Sequence, residues 1–340
     1  MGLAYDENIE LTALERGVRA KDPDALCEMG WRLQQGLVGG APNLVKAREL
    51  FEQAAKLGSA RAANNFGMCL LDGLGGERDA RAAVKWFRKA AEKGLAAAQN
   101  NMGWSYFRGL GVAENYATAA RWFRKAANQG LADAQNNLAH CLQHGLGVER
   151  DLAAAKALYE SASEQGLASA LVALAWMCER GVGGTVDYAK AVELLTEAAA
   201  SGSASAKVNL AYHYRNGLGV ERDPARALEL YESAALQGFS EGYFGVAEMC
   251  ELGECADGAQ PDYRRALANY RQAESLGDPR ASRRRVALEA ALRNAFDAAV
   301  SIENAKTERV AFTVAPPRAR EQDSSSRETD ASEPSEDAAS

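Results

Sequence analysis

The chain has 340 residues, 47% of them apolar, and a formal net charge of -7 with no long basic run. A field of that sign repels nucleic acid and anionic lipid, so neither is expected as a partner. No run of about 18 apolar residues occurs, and MGLAYDENIELTALERG opens with acids and lacks an apolar segment, so the expectation is a cytoplasmic protein without a transmembrane helix.

Residues 1–21 read as an N-terminal capping helix, carried by NIELTALERGVRA. Repetition begins beyond it. KWFRKAAEKG (Lys85 to Gly94) returns as RWFRKAANQG (Arg121 to Gly130), and the closing glycine recurs as Gly58, Gly94, Gly130, Gly166, Gly202, Gly238 and Gly277. Seven units follow: residues 22–58, 59–94, 95–130, 131–166, 167–202, 203–238 and 239–277.

Within each unit a short acceptor side chain stands at one place: Asn43, Asp79, Asn115, Asp151, Asp187, Asp223 and Asp262. Such a residue bonds the free N–H groups that open a helix, so it marks the start of the second helix of each unit. Gly36, Gly73, Gly109, Gly145, Gly181, Gly217 and Gly253 mark the end of the first, because glycine accepts the left-handed conformation that stops a helix. Each unit is therefore an αα-hairpin. In its second helix alanine recurs at Ala47, Ala83, Ala119, Ala155, Ala191, Ala227 and Ala266, and again seven residues later. Between them stands a large residue, such as Phe51, Phe87, Phe123 or Tyr159. Small residues let helix axes approach and the large one fills the adjoining gap. One hairpin cannot bury its own apolar face, so the copies stack.

The stretch AQNNMGWSYFRGLGVAENYATAARWFRKAANQGLADAQNNLAHCL resembles the Sel-one-like repeat (SLR) family, which is related to the tetratricopeptide repeats. The likeness covers about residues 22–277. It implies an all-α, right-handed α/α superhelical solenoid whose first helices line a concave face, and a non-catalytic adaptor or scaffold that binds proteins. Secreted members carry a bridging cysteine pair in each repeat, and this chain departs from them. Its cysteines (Cys27, Cys69, Cys141, Cys178, Cys250, Cys255) fall singly and without CxxC spacing, which points to small buried thiols.

After Gly277 the chain reads as a C-terminal capping helix over residues 278–307. Leu288, Leu292 and Phe296 form one apolar stripe there, and self-association through them is the alternative reading. From Glu308 to Ser340 acids and serines dominate, large apolar residues are nearly absent after Pro317, and the segment is expected to be an acidic, Ser-rich disordered tail. The apolar stretch Val310 to Val314 precedes its most polar part.

Function is sought in what varies between copies. In the first helices one stripe reads Asn64, Asn100, Asn136; then Met68, Trp104, His140, Trp176, Tyr212; then Leu71, Phe107, Gln143, Glu179, Arg215. Its columns are three or four residues apart and so share a face. By the resemblance this face lines the groove. Asparagine pairs with both N–H and C=O of an extended peptide, and exposed aromatic rings make anchors. The expected peptide or protein site is Asn64, Met68, Asn100, Trp104, Phe107, Asn136, His140, Gln143, Trp176, Tyr212 and Arg215. The competing reading gives the asparagines, with Asn65, Asn101, Asn137 and Asn209 beside them, to bonds between helices.

A catalytic alternative centres on His140, Cys141 and His144, since the two histidines share a helix face at a metal-chelating spacing. The glutamate of an HExxH motif is missing and no third ligand is near in sequence. No P-loop, dinucleotide fingerprint or GxSxG elbow occurs, so neither an enzyme nor a cofactor or metal is expected.

Overall fold

The computed structural model describes residues 2–255 and 260–314, with side chains over 11–255 and 260–303. Among these there are sixteen helices and no strand. The first is α1 (Gly2–Arg19). Seven hairpins follow: α2 (Pro23–Gln34) with α3 (Leu44–Lys56), α4 (Ala60–Asp72) with α5 (Ala80–Glu92), α6 (Ala96–Arg108) with α7 (Tyr116–Ala127), α8 (Ala132–His144) with α9 (Leu152–Ser163), α10 (Ala168–Glu179) with α11 (Tyr188–Ala200), α12 (Ala204–Asn216) with α13 (Pro224–Leu236), and α14 (Ser240–Glu251) with α15 (Tyr263–Ser275). The last is α16 (Pro279–Val314).

The local signals act as read. Asn43, Asp79, Asn115, Asp151, Asp187, Asp223 and Asp262 each cap a second helix, accepting the backbone N–H three residues on. Pro224 stands at the start of α13, where a missing N–H costs nothing. Both alanine columns are buried, and Phe51, Phe87, Phe123, Tyr159, Leu195, Tyr231 and Tyr270 fill the space beside them. The rings lie on small residues of the facing helix. A Cβ added to Gly103 would stand 2.4 Å from the ring of Phe123.

Stacking between hairpins uses a second glycine in the connecting turn. At Gly147, φ is 68°, and a Cβ would stand 2.1 Å from the backbone nitrogen of Ala117 in the preceding unit. Only hydrogen fits there, so the turn after α8 rests on the start of α7. The first helices of neighbouring units also touch, α2 with α4, α10 with α12 and α12 with α14, which puts them on the inner side of an α/α solenoid. At the N-terminal end Leu11, Leu14 and Val18 of α1 pack on the core of the first units.

Two expectations need correction. Cys250 and Cys255 form a disulfide across the end of α14 and the loop behind it, with Cα atoms 4.9 Å apart, while Cys27, Cys69 and Cys141 are buried thiols and Cys178 is half-buried. The chain turns back at Gly253, bringing together two cysteines whose columns never pair elsewhere. Disulfides are rare in the cytosol, which sets this pair against the cytoplasmic expectation. Secondly, α16 continues to Val314, so the first seven residues assigned to the tail are helical, and residues 315–340 lie outside the described residues.

The described residues divide into two units, the boundary falling between Arg283 and Arg284. In the second, Leu288 is buried, Leu292 half-buried and Phe296 69% exposed.

Candidate functional site

The stripe of variable residues lies on the inner helices of units two to six, and its middle closes around a cavity. Trp104 and Phe107 come from α6, Asn136 and His140 from α8, and Trp176 from α10; together they line an open pocket of about 450 Å³. The aromatic groups brace one another edge to face: Trp104 against Phe107 at 5.5 Å and Phe107 against His140 at 6.0 Å between ring centroids. Phe123, buried below, reaches Trp104 at 6.1 Å. Such pairing holds large rings in place with little freedom left to lose when something binds.

The pocket's electrostatics are one-sided. No carboxylate lines it, and its one full cation is Arg108, whose guanidinium lies 5.5 Å from the Trp104 ring centroid and 6.0 Å from that of Phe107. Arg108 has no carboxylate partner among the described residues. Partial burial, then His144 and Arg108 nearby, lower the pKa of His140 below its ordinary value, so the ring is neutral at pH 7. His144 sits beside it at 4.6 Å.

Other members of the stripe have internal partners. Asn64 accepts from the Asn101 amide at 2.8 Å and Asn100 from the Asn137 amide at 2.9 Å, so the asparagines of two adjacent columns form rungs between units. Asn101 also lies 3.6 Å from the Met68 sulfur. Gln143, expected on the groove, is buried, and its Oε1 accepts from Tyr159 Oη at 2.9 Å. Arg215 is paired with Glu254 at 2.7 Å and Glu248 at 3.3 Å. Both stand two residues before the glycine that stops the helix, where the side chain is drawn toward the second helix of its unit or toward the next unit. Tyr212 is exposed and does not line the pocket.

The pocket also holds residues that the stripe did not single out: Arg108, Val172, Ala173 and Asn209. Val172 occupies in α10 the column of Asn64, Asn100 and Asn136, and Ala173 the column of Asn101 and Asn137. The signal was therefore present as a departure from a repeated letter.

The catalytic alternative is not supported by this geometry. Cys141 points into the core, and burial pushes its thiol up to about 11, so it is neither ionised nor accessible. Among the described residues no group of three or more His, Cys, Asp or Glu side chains is placed to hold a metal ion. Nor is any helix among them long and apolar enough to cross a membrane.

The Sel1 repeat model matches seven consecutive segments, residues 23–59, 60–95, 96–131, 132–167, 168–203, 204–239 and 240–278. The chain belongs to the Sel1 repeat family. The segments begin one residue after the units read from the glycines. Sel1 repeats generally mediate protein–protein interaction and are generally non-catalytic scaffolds. Among solved structures, a Sel1 repeat protein from Oxalobacter formigenes is similar at 27% identity and a TM-score of 0.65, over 73% of this chain and 96% of that one. A protective antigen of uropathogenic Escherichia coli with an SLR fold is 29% identical, with a TM-score of 0.56, over 83% of this chain and 68% of its own. Yeast Tom70, at 16% identity, a TM-score of 0.51, and coverage of 83% and 58%, shares the fold alone. No curated protein matches the chain.

Proposed function

We propose that this Sel1 repeat protein is a non-catalytic adaptor that binds an extended segment of a partner protein along the inner face of units two to six, with its main anchor in the pocket between Trp104 and Trp176. The observation that carries this reading is the pocket itself. Three inner helices bring aromatic residues to one cavity of about 450 Å³, large enough for a bulky side chain. Filling it with a leucine or phenylalanine contributes about 1.5–3 kcal/mol from burial, and the rigid rings around it lose little entropy.

The test compares the intact chain with a Trp104→Ala, Trp176→Ala variant whose helicity is checked by circular dichroism. A partner recovered from native extract by the first and lost by the folded second supports the groove. Equal recovery by both moves binding elsewhere. A second reading, self-association, rests on the exposed apolar residues Phe296, Val300 and Ile302 of α16. Sedimentation equilibrium tests it, and a monomer at every concentration removes it.

A further inference from the structure

We infer that unit five creates the recognition site of the groove by interrupting the asparagine ladder, and that the ligand is an extended acidic segment carrying a large apolar side chain. The inference rests on the groove reading above and names the chemistry of its occupant.

The ladder has a simple rule. A carboxamide in one unit donates to the carboxamide 37 residues earlier, as Asn101 does to Asn64 and Asn137 to Asn100. Continued by one unit, the donor to Asn136 would be residue 173, which is alanine, and the acceptor for Asn209 would be residue 172, which is valine. Two half-buried carboxamides, those of Asn136 and Asn209, are thereby left without a hydrogen bond among the described residues. Both line the same pocket, and so do the Val172 and Ala173 that released them. The break thus frees a polar pair and supplies an apolar floor in one place.

A carboxamide offers one acceptor and one donor group, the complement of a main-chain peptide unit. Asn136 and Asn209 can hold the backbone of an extended segment while its apolar side chain lies over Val172 and Ala173 between the tryptophans. Charge selects the neighbouring residue. Arg108 is held against Trp104 and Phe107 without an ion pair, and no carboxylate in the pocket competes for it. An aspartate or glutamate next to the anchor satisfies it, whereas a basic residue meets repulsion.

The experiment uses the full chain and a displayed library of random nonapeptides. Wild-type protein is expected to enrich peptides with a large apolar residue beside an acid. Against one enriched peptide, the ladder-repaired variant Val172→Asn, Ala173→Asn is expected to melt at or above wild type, because it regains two rungs, and yet to bind at least tenfold more weakly. Arg108→Glu is expected to remove the preference for acids in a fresh selection. Should the repaired variant melt lower, Asn136→Ala and Asn209→Ala provide the same reading, each losing about tenfold if the inference holds. Undiminished binding by the repaired variant, or by both alanine variants, overturns the inference. In that case loss of the peptide by Trp104→Ala, Trp176→Ala still upholds the groove. Enriched peptides with no excess of acids also overturn it. A library that yields nothing overturns both readings.

Discussion

Gly147→Ala and Gly183→Ala make a matched pair that tests how the hairpins are joined. The two glycines occupy the same place in the turns of units four and five, and both are left-handed, with φ of 68° and 79°. The strain of putting a Cβ on a left-handed residue, about 1–2 kcal/mol, is therefore common to both. Their surroundings differ. At Gly147 the new carbon would stand 2.1 Å from the Ala117 nitrogen and 2.2 Å from the Tyr116 carbonyl carbon, both backbone atoms, whereas at Gly183 it would meet nothing closer than the Lys156 Cδ at 4.0 Å. Backbone cannot swing aside as a side chain does, so the start of α7 must be displaced and the contact between units opened. Overpacking of this kind costs about 1–3 kcal/mol, which is the excess expected for Gly147→Ala over Gly183→Ala. Urea denaturation followed by far-ultraviolet circular dichroism measures it, with the m value required to stay the same. Equal losses would mean that the turn glycines serve chain reversal alone and that the close approach between units carries no stability.

Asn115→Ala removes the acceptor 2.8 Å from the Thr118 N–H and is expected to lower stability by about 1 kcal/mol, read from the thermal midpoint; no change would show the cap replaced by water. The His213 ring is 1% exposed, with Nδ1 2.8 Å from the Leu218 carbonyl oxygen and Nε2 2.9 Å from a Glu179 carboxylate oxygen. Two acceptors call for two N–H groups. Burial opposes the charge, but the Glu179 carboxylate and the Leu218 carbonyl outweigh it and raise the pKa above its ordinary 6.5. The stabilisation is therefore complete below 6.5 and lost as pH rises through the raised value. Denaturation midpoints across that window should fall for the wild type and fall less for Glu179→Gln, and parallel curves would refute the assignment. Alkylation in denaturant without reductant should label four cysteines, Cys27, Cys69, Cys141 and Cys178, and six once reductant is added. Six labels in both conditions would remove the Cys250–Cys255 bridge.

Arg108 and Gln143 show where sequence reading stops. Both sit at the end of an inner helix, and spacing alone favoured Gln143 as the groove residue. The structure instead buries Gln143 against Tyr159 of α9 and lays Arg108 over the pocket's rings. Neither outcome is visible from a column of letters, because each depends on a partner that lies across a turn or on another ring's position. Val172 and Ala173 make the same point in another way: their letters were readable as exceptions, but their effect is on Asn136 and Asn209, some 37 residues away in either direction.

What the sequence determined by itself is the hairpin and its copying. A cap bonds an N–H three residues away, a left-handed glycine stops the helix it follows, and alanines seven apart share a face, so all of these act within one unit and recur with it. Tertiary structure alone decided which members of the stripe meet. A pocket exists only where successive inner helices set side chains from different units around one space, and the curvature and stagger of the stack decide which those are. The same holds for Cys250 and Cys255, brought together by the path of a single loop.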